Sequence, residues 1–368
     1  MREVEFRSQL EDIMPAEELL FSPTPAFGKY RYLMPPESIS HPAKFNTELV
    51  EFLVLKYTKE GDTILDCMAG SGVLGVIAAI NGRNAVQVEL EPRFYEWMEK
   101  ARENVENMVT LSQKGRIVNI LGDARRLSEL ISKADICITS PPYLKSADSG
   151  AGINRQREGD VKIGCSTIGR MVSHPEAVDN VKEYGSIDAI ITSPPYDASL
   201  EGSSRHLRGG IASRDSVLAQ TGTYATILSE ATKKGVPICY SPCRENIGNL
   251  KSSDEEYEML TKGLMKDGKP TYLSEMFKVY SEMFKVLKPG GYAIIVIKPF
   301  IRNKRVIDLP FHTYLLMGRV GFRLEKLYKL RLQQKSFWRI LYFKKHPEVP
   351  QINHEYVLVM RKTLEKHH

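Results

Sequence analysis

The stretch Thr63-Ile64-Leu65-Asp66-Cys67-Met68-Ala69-Gly70-Ser71-Gly72 decides the fold class of this chain. Its first four residues have the composition of a short buried strand, and its glycines allow a tight turn into the apolar, alanine-rich helix that follows. A turn of this kind lets a ligand approach the backbone at the start of the helix. A short Gly-x-Gly pattern is weak evidence alone, because a βα turn that binds nothing uses the same residues.

Strands and helices alternate in the sequence after this stretch. Strands are predicted at residues 85–89, 117–121, 135–139, 292–297, 322–330 and 355–360, and helices at 92–105, 272–287 and 309–317. Such alternation predicts a parallel sheet built from βαβ units. We expect an α/β fold with a Rossmann-like, seven-stranded, mainly parallel sheet and a large insertion after the fourth strand.

Two further strand ends carry groups that suit a nucleoside. Glu89 ends the strand after Gly72, where a carboxylate can accept both ribose hydroxyls. Asp123 follows the third strand, where a side chain can meet an adenine amine. Three consecutive strand ends therefore predict a nucleoside-cofactor site, made of Asp66, Met68, Ala69, Gly70, Ser71, Gly72, Glu89, Leu90, Asp123 and Ala124.

A second motif, Ser140-Pro141-Pro142-Tyr143, follows the predicted strand 135–139. The paired prolines force an extended turn, remove two N–H donors and leave carbonyl groups pointing outward. The Ser140 hydroxyl and the Pro141 carbonyl can then accept hydrogen bonds from an amine, and Tyr143 can stack on a planar ring. The alternative is a rigid loop with a packed tyrosine.

The same motif recurs as Ser193-Pro194-Pro195-Tyr196, again after a predicted strand. Either copy could be catalytic. The first lies 17 residues after Asp123, the spacing expected for the next strand, and is favoured for that reason. If the second is catalytic, residues 144–186 form an insertion before the fourth strand. A third hypothesis is that the second copy contacts the target as a loop.

The glycine-rich motif Asp66 to Gly72 and the motif Ser140 to Tyr143 together resemble those of the S-adenosylmethionine-dependent exocyclic amino methyltransferases. The resemblance covers about residues 40–143 and 272–361. A serine in the first motif position is commoner in members that act on cytosine N4, whereas aspartate dominates among adenine-N6 members. His41-Pro42-Ala43-Lys44-Phe45 resembles a segment of cytosine members that helps close the methionine end of the cofactor.

The resemblance implies S-adenosyl-L-methionine as the cofactor, with His41, Lys44 and Phe45 added to its site. It also implies four parts: an N-terminal segment at 1–60, a cofactor-binding half at 61–143, an insertion for target recognition at 144–270, and the C-terminal half of the core at 271–363. No metal is expected, because Cys239-x3-Cys243 has no second Cys/His pair at ligand spacing.

Charge and composition permit a nucleic-acid partner without requiring one. The chain has 51 Lys and Arg against 45 Asp and Glu. Residues 326–345 contain several cations and no acid, interleaved with Tyr328, Phe337, Trp338, Tyr342 and Phe343. This pattern fits either a solvated strand pair or a surface that tracks a backbone and stacks on bases.

We predict RNA rather than DNA as the substrate, with N4 of cytidine in ribosomal RNA or a ribosomal subunit as the target. The organisation resembles archaeal ribosomal RNA cytidine-N4 methyltransferases, and the few glutamines favour a thermophilic source. The alternatives are a DNA cytosine-N4 or adenine-N6 methyltransferase, with residues 144–270 as its recognition region, and a catalytically silent nucleic-acid-binding protein. The charged N-terminus and the lack of a long apolar run predict a cytoplasmic protein with no membrane segment.

Overall fold

The structure is a computed structural model that describes residues 4–21, 27–41, 45–109, 113–131, 189–192, 246–265, 268–333 and 337–363, with the backbone alone at 190–192 and 337–339. The strands are β1 (Glu17–Leu19), β2 (Thr63–Asp66), β3 (Asn84–Glu89), β4 (Ile117–Leu121), β5 (Ala189–Thr192), β6 (Tyr292–Ile297), β7 (Phe300–Arg302), β8 (Arg305–Ile307), β9 (Phe322–Arg331) and β10 (His354–Lys362). The α-helices are α1 (Leu10–Ile13), α2 (Thr47–Tyr57), α3 (Val73–Ile80), α4 (Pro92–Asn107), α5 (Leu127–Leu130), α6 (Asp254–Thr261), α7 (Tyr272–Val286), α8 (Leu309–Val320) and α9 (Phe337–Lys345).

Eight of these strands form one sheet in the order β1-β9-β10-β6-β5-β2-β3-β4. Strand β10 is antiparallel to both β6 and β9, and the other neighbours run parallel. The expected α/β, Rossmann-like, mainly parallel sheet is confirmed. Strand β1 adds an eighth strand at the β9 edge, which the sequence does not predict because three residues carry too short a pattern.

The strand order reverses between β2 and β5. From β2 the chain continues to β3 and then β4 on one side, and from β5 it continues to β6 on the other. In an open parallel sheet, ligands bind outside the carboxyl ends of the strands at such a switch point. The carboxyl ends of β2 and β5 therefore mark the edge where a functional site is expected.

The strand beside β2 is β5, which immediately precedes the second Ser-Pro-Pro-Tyr motif in the sequence. Ala189 pairs with Ile64 of β2 and with Tyr292 of β6, so no further strand separates β2 from β6. The spacing after Asp123 favoured the strand at 135–139 for this position, and the sheet corrects that preference. Spacing misleads here because a parallel connection has a minimum length but no fixed one. Residues 135–143, with the first motif, lie outside the described residues.

The core lies on both faces of the central strands. Every residue of β2 is buried, and so are the last five residues of β6, as expected for parallel strands covered by helices on both sides. Helix α7 begins with a capping box between Thr271 and Ser274. Its apolar face packs inward and includes four buried residues: Leu273, Met276, Tyr280 and Met283.

The described part of the basic and aromatic stretch at 326–345 places two of its aromatic residues in the core. Its first part is β9, in which Tyr328 is 1% exposed and its hydroxyl lies 2.8 Å from that of Tyr57. Phe343 of α9 is also buried. The cations of β9 pair with acids of the N-terminal segment: Lys326 with Glu17, Lys329 with Glu11, and Arg331 with Glu18. Among the side chains that the structure describes, Tyr328 and Phe343 are thus not available to stack on a base.

Candidate functional site at the carboxyl edge of the sheet

The glycine-rich turn after β2 is bonded directly to the end of β3. Gly70 has φ +55° and its N–H donates to Glu89 Oε2 at 2.8 Å, while the Ala69 N–H donates to the carbonyl of Val88. Gly72, with φ +75°, precedes the first residue of α3. Glycine tolerates this left-handed backbone at both positions, which lets the turn lie flat against β3.

Glu89 is the buried acid of this site. The residue is only 6% exposed, and its Oε1 accepts a hydrogen bond from the Glu91 N–H at 2.9 Å. Burial raises the pKa of Glu89 to about 7 from an ordinary value of 4.5, against the opposing effect of its backbone hydrogen bonds. Two N–H donors leave lone pairs on both carboxylate oxygens, so the group can still accept hydrogen bonds from a pair of hydroxyls.

His41 lies against the glycine-rich turn at Gly70. The His41 ring is buried and packs edge-on against Phe94, with 4.4 Å between the ring centroids. A Cβ placed on Gly70 would lie 2.9 Å from the His41 ring, so the turn is a cradle that only glycine fits at this position. Phe45 is buried near the start of α2. Lys44, the third predicted residue of this segment, lies outside the described residues.

The other predicted cofactor residues lie along the same edge. Asp66 and Ser71 are buried, and Asp66 Oδ1 accepts the Met68 N–H at 3.2 Å. The Gly122 N–H donates to the carbonyl of Glu89, which brings the end of β4 beside the end of β3. Leu90 and Met68 are half-buried and Ala124 is buried. The three strand ends predicted to meet do meet.

Asp123 has a partner that the sequence does not predict. Its carboxylate accepts hydrogen bonds from Arg125 Nε and Nη2, and Arg125 Nη1 donates to Glu275 of α7 at 2.6 Å. Burial opposes ionisation of Glu275, but hydrogen bonds from Lys278 and Arg125 outweigh it and hold its pKa below the ordinary value. The predicted contact of Asp123 with an adenine amine must therefore share this carboxylate with Arg125.

Asn246 is a second residue that the sequence does not indicate. Its amide Nδ2 donates to Glu91 Oε1 at 3.0 Å, and both residues are buried. Because the Glu91 N–H holds Glu89, Asn246 links the segment before α6 to the acid of the site. Residues 246–250 fall inside the predicted insertion, and no motif marks them.

The arrangement fits a nucleoside-bearing cofactor. A buried carboxylate stands at the end of β3, and a glycine cradle precedes a helix whose first N–H groups face the same edge. Ser193-Pro194-Pro195-Tyr196 follows β5 directly in sequence, and it lies outside the described residues, as does Ser140-Pro141-Pro142-Tyr143.

Residues 27–100 match the family model described as DNA methylase. This segment spans His41, the glycine-rich turn and Glu89, and it stops before either Ser-Pro-Pro-Tyr.

Curated relatives are similar over a short segment. The chain is 41% identical over 60 residues to the type II methyltransferase M.BglI of Bacillus subtilis, covering 16% of this chain and 17% of that protein. It is 41% identical over 59 residues to M.Cfr9I of Citrobacter freundii, covering 16% and 20%. The chain thus spans about a fifth of the length of these relatives.

Among solved structures, a TehB-like SAM-dependent methyltransferase of Corynebacterium glutamicum aligns over 85% of this chain and 86% of its own, at 10% identity and a TM-score of 0.33. In the described part of the chain, no helix has the length and apolar character to cross a bilayer. The same residues contain no group of three or more His, Cys, Asp or Glu side chains placed to hold a metal ion.

Proposed function

We propose that the protein is an S-adenosylmethionine-dependent amino methyltransferase that modifies DNA, with the exocyclic N4 of cytosine as the methyl acceptor. The observation that carries the proposal is the position of β5. It lies beside β2 at the switch point and runs directly into Ser193-Pro194-Pro195-Tyr196, so the sequence suited to an amine continues from the strand next to the cofactor turn.

Glu89 and the glycine cradle are the residues that would hold the cofactor. The Glu89 carboxylate would accept the ribose hydroxyls, and Gly70 and Gly72 would let the backbone approach the ligand closely. His41 would cover the turn from outside. When bound, S-adenosylmethionine supplies an electrophilic methyl group on a positively charged sulfur.

Ser193 and Pro194 are the residues proposed to prepare the acceptor. An exocyclic amine is a poor nucleophile because its lone pair is delocalised into the ring. Hydrogen bonds from the amine to the Ser193 hydroxyl and the Pro194 carbonyl would favour a pyramidal nitrogen with its lone pair free, and would stabilise the positive charge that develops there. Tyr196 would serve as a stacking platform for a base taken out of the helix.

DNA is proposed rather than RNA on two grounds. The family matched by residues 27–100 is described as DNA methylase. In the stretch at 326–345, whose pattern suits a single-stranded target, Tyr328 and Phe343 are buried, and Lys326, Lys329 and Arg331 pair with acids. Cytosine N4 rests on the serine of the motif, and adenine N6 is the second candidate.

The test is transfer of labelled methyl from S-adenosylmethionine to unmodified genomic DNA and, in parallel, to ribosomal RNA, with the product nucleosides identified by mass spectrometry. The proposal expects label in N4-methyl-deoxycytidine. Label in N6-methyl-deoxyadenosine would change the acceptor and keep DNA, whereas label in RNA alone would refute the DNA substrate.

The choice between the two motif copies is tested with Ser193→Ala and Ser140→Ala. Losing a hydrogen bond made in the transition state costs about a factor of 10² to 10³ in rate, so Ser193→Ala should lose this much while Ser140→Ala stays near wild type. The reverse result would assign catalysis to the first copy. Full DNA binding with no transfer by the wild-type protein would favour the catalytically silent alternative.

A further inference from the structure

The β7–β8 hairpin projects from the same edge of the sheet as the candidate site. Strand β6 runs parallel to β5 and ends at Ile297, and the hairpin begins at Phe300. Its position therefore follows the carboxyl end of the strand that neighbours β5. Any large substrate that reaches the residues after β5 approaches this edge.

The tip of the hairpin holds Lys304 in a backbone conformation that is unfavourable for lysine. Asn303 and Lys304 have φ +49° and +59°, the left-handed pair typical of a two-residue hairpin turn. Such turns prefer Asn-Gly, and the first position obeys that preference. The second holds a lysine, whose Cβ makes the left-handed backbone unfavourable. Strained positions of this kind are concentrated at functional sites.

The two residues that flank the hairpin turn carry charges of the same sign, which lowers the stability of the hairpin. Arg302 and Arg305 stand opposite each other across the hairpin, and like charges in this position repel. Arg302 Nη1 donates to the Ser252 carbonyl at 2.6 Å and lies 3.4 Å from Asp254 Oδ1, so its charge is balanced. Arg305 is exposed, and no carboxylate of the described residues lies within 4.0 Å of it.

The surroundings of the tip leave its positive charge available. Lys304 Nζ is 3.9 Å from Glu348 Oε1, with both side chains more than half exposed, a separation at which ion pairs contribute little. Glu348 follows the exposed pair Lys344 and Lys345 at the end of α9. The weak pair with Glu348 thus leaves most of the charge of Lys304 open to solvent.

We propose that the hairpin tip, Asn303 to Arg305, binds the phosphate backbone of duplex DNA beside the modified base. The inference rests on the proposed function in taking DNA as the partner. Lysine and arginine that neutralise phosphates release counterions and fix the position of the protein on the duplex without reading sequence. A partner of this charge explains why the turn retains a lysine where glycine would fit better.

The decisive variant is Lys304→Gly, because the proposal predicts that it raises the stability of the protein and at the same time weakens its binding to DNA. Glycine accepts the left-handed backbone, so thermal unfolding should shift to a higher temperature. Binding to a fluorescein-labelled 30-base-pair duplex, measured by anisotropy between 50 and 200 mM KCl, should weaken. The slope of log K against log salt should fall by about one unit for the lost phosphate contact.

Three controls accompany it. Lys304→Arg keeps the charge and the strain, and should bind DNA like the wild type. Arg305→Gln should lower the salt slope by a similar amount. Lys59→Gln removes an exposed lysine from the turn before β2, at the opposite edge of the sheet, and should leave the slope unchanged.

Higher stability with unchanged DNA affinity and slope for Lys304→Gly would overturn the inference, as would an equal loss in Lys59→Gln. Because binding is measured without methyl transfer, the two proposals fail separately. A wild type that methylates DNA with no dependence on Lys304 refutes the hairpin contact alone. Binding that depends on Lys304 with transfer to RNA only refutes the DNA substrate, and no DNA binding refutes both.

Discussion

The two sides of the switch point differ in how far apart in the sequence their contacting residues lie. On the side of β2 and β3, the bonds that shape the site join residues close in sequence: Gly70 and Glu89 are 19 residues apart, and Gly75 and Gln87 are 12 apart. On the side of β5 and β6, the contacts join more distant segments, such as Arg302 to the carbonyl of Ser252, 50 residues apart. A cofactor site can thus form within one βαβ unit, whereas the target side requires the whole sheet.

Removal of Glu89 should have the largest effect on the cofactor side. Glu89→Ala should weaken S-adenosylmethionine binding by about 1–3 kcal/mol, because charge-assisted hydrogen bonds to the ribose are lost. Isothermal titration calorimetry measures the change. Glu96→Ala, which removes an exposed acid from α4, serves as the control and should bind normally. Unchanged affinity in Glu89→Ala would remove Glu89 from the site.

The raised pKa of Glu89 predicts opposite pH trends for binding and for stability. Ribose hydroxyls favour the ionised carboxylate, so cofactor affinity should fall as the pH drops below about 7. The folded chain holds this proton more tightly than the unfolded chain does. The stability contributed by Glu89 is therefore complete below pH 4.5 and is lost as the pH rises through about 7.

Glu89→Gln separates these trends, since glutamine does not ionise. Relative to wild type, the variant without cofactor should gain stability as the pH rises from 4.5 to 7, measured by urea unfolding. Its cofactor affinity should be weak and flat over the same range. A wild-type affinity independent of pH between 6 and 8 would contradict the assignment.

Gly75→Ala tests whether the cofactor side depends on close local packing. A Cβ at Gly75 would lie 2.5 Å from the Gln87 side chain, which also bonds to Asn119, so Gln87 must shift. We expect a loss of about 1–3 kcal/mol in the free energy of unfolding. Gly318→Ala in α8 meets nothing within 4 Å and should gain up to about 1 kcal/mol. Equal changes in the free energy of unfolding for the two variants would show that Gly75 tolerates a Cβ as well as Gly318 does.

Asn246→Ala tests the contact between the two regions and should have the smallest effect. Loss of its hydrogen bond to the buried Glu91 should cost about 1 kcal/mol of stability. If Glu91 positions Glu89, cofactor affinity should fall by a few-fold, and Asn246→Asp should not restore it because it places an acid beside Glu91. An affinity equal to that of wild type would confine Asn246 to a structural role.

The difference between the two sides also explains what the sequence could predict. The sequence predicts the position of β2 and brings Gly70, Gly72 and Glu89 to one edge, because each lies in a regular strand or turn of one βαβ unit. The spacing after Asp123 favours the strand at 135–139 for the place beside β2, whereas the sheet has β5 there. This choice depends on pairing between segments more than a hundred residues apart.

Other features leave no local pattern at all. The partner of Asp123 is the neighbouring Arg125, whose role becomes visible only when α7 brings Glu275 against it. The strain at Lys304 depends on a backbone angle, and the burial of Tyr328 depends on Tyr57 and β10. Properties of this kind follow from tertiary packing, which residue types and spacing do not encode.

The N-terminal segment described with β1 has a consequence for synthesis on the ribosome. The Ser8 hydroxyl donates to Asp308, and the Ser8 N–H donates to the hydroxyl of Tyr356, a separation of 348 residues along the chain. Ser8 can therefore dock only after the residues around Tyr356 have been synthesised. Until β1 pairs with β9, that edge of the sheet stays uncovered, and an open strand edge is a site at which chains aggregate.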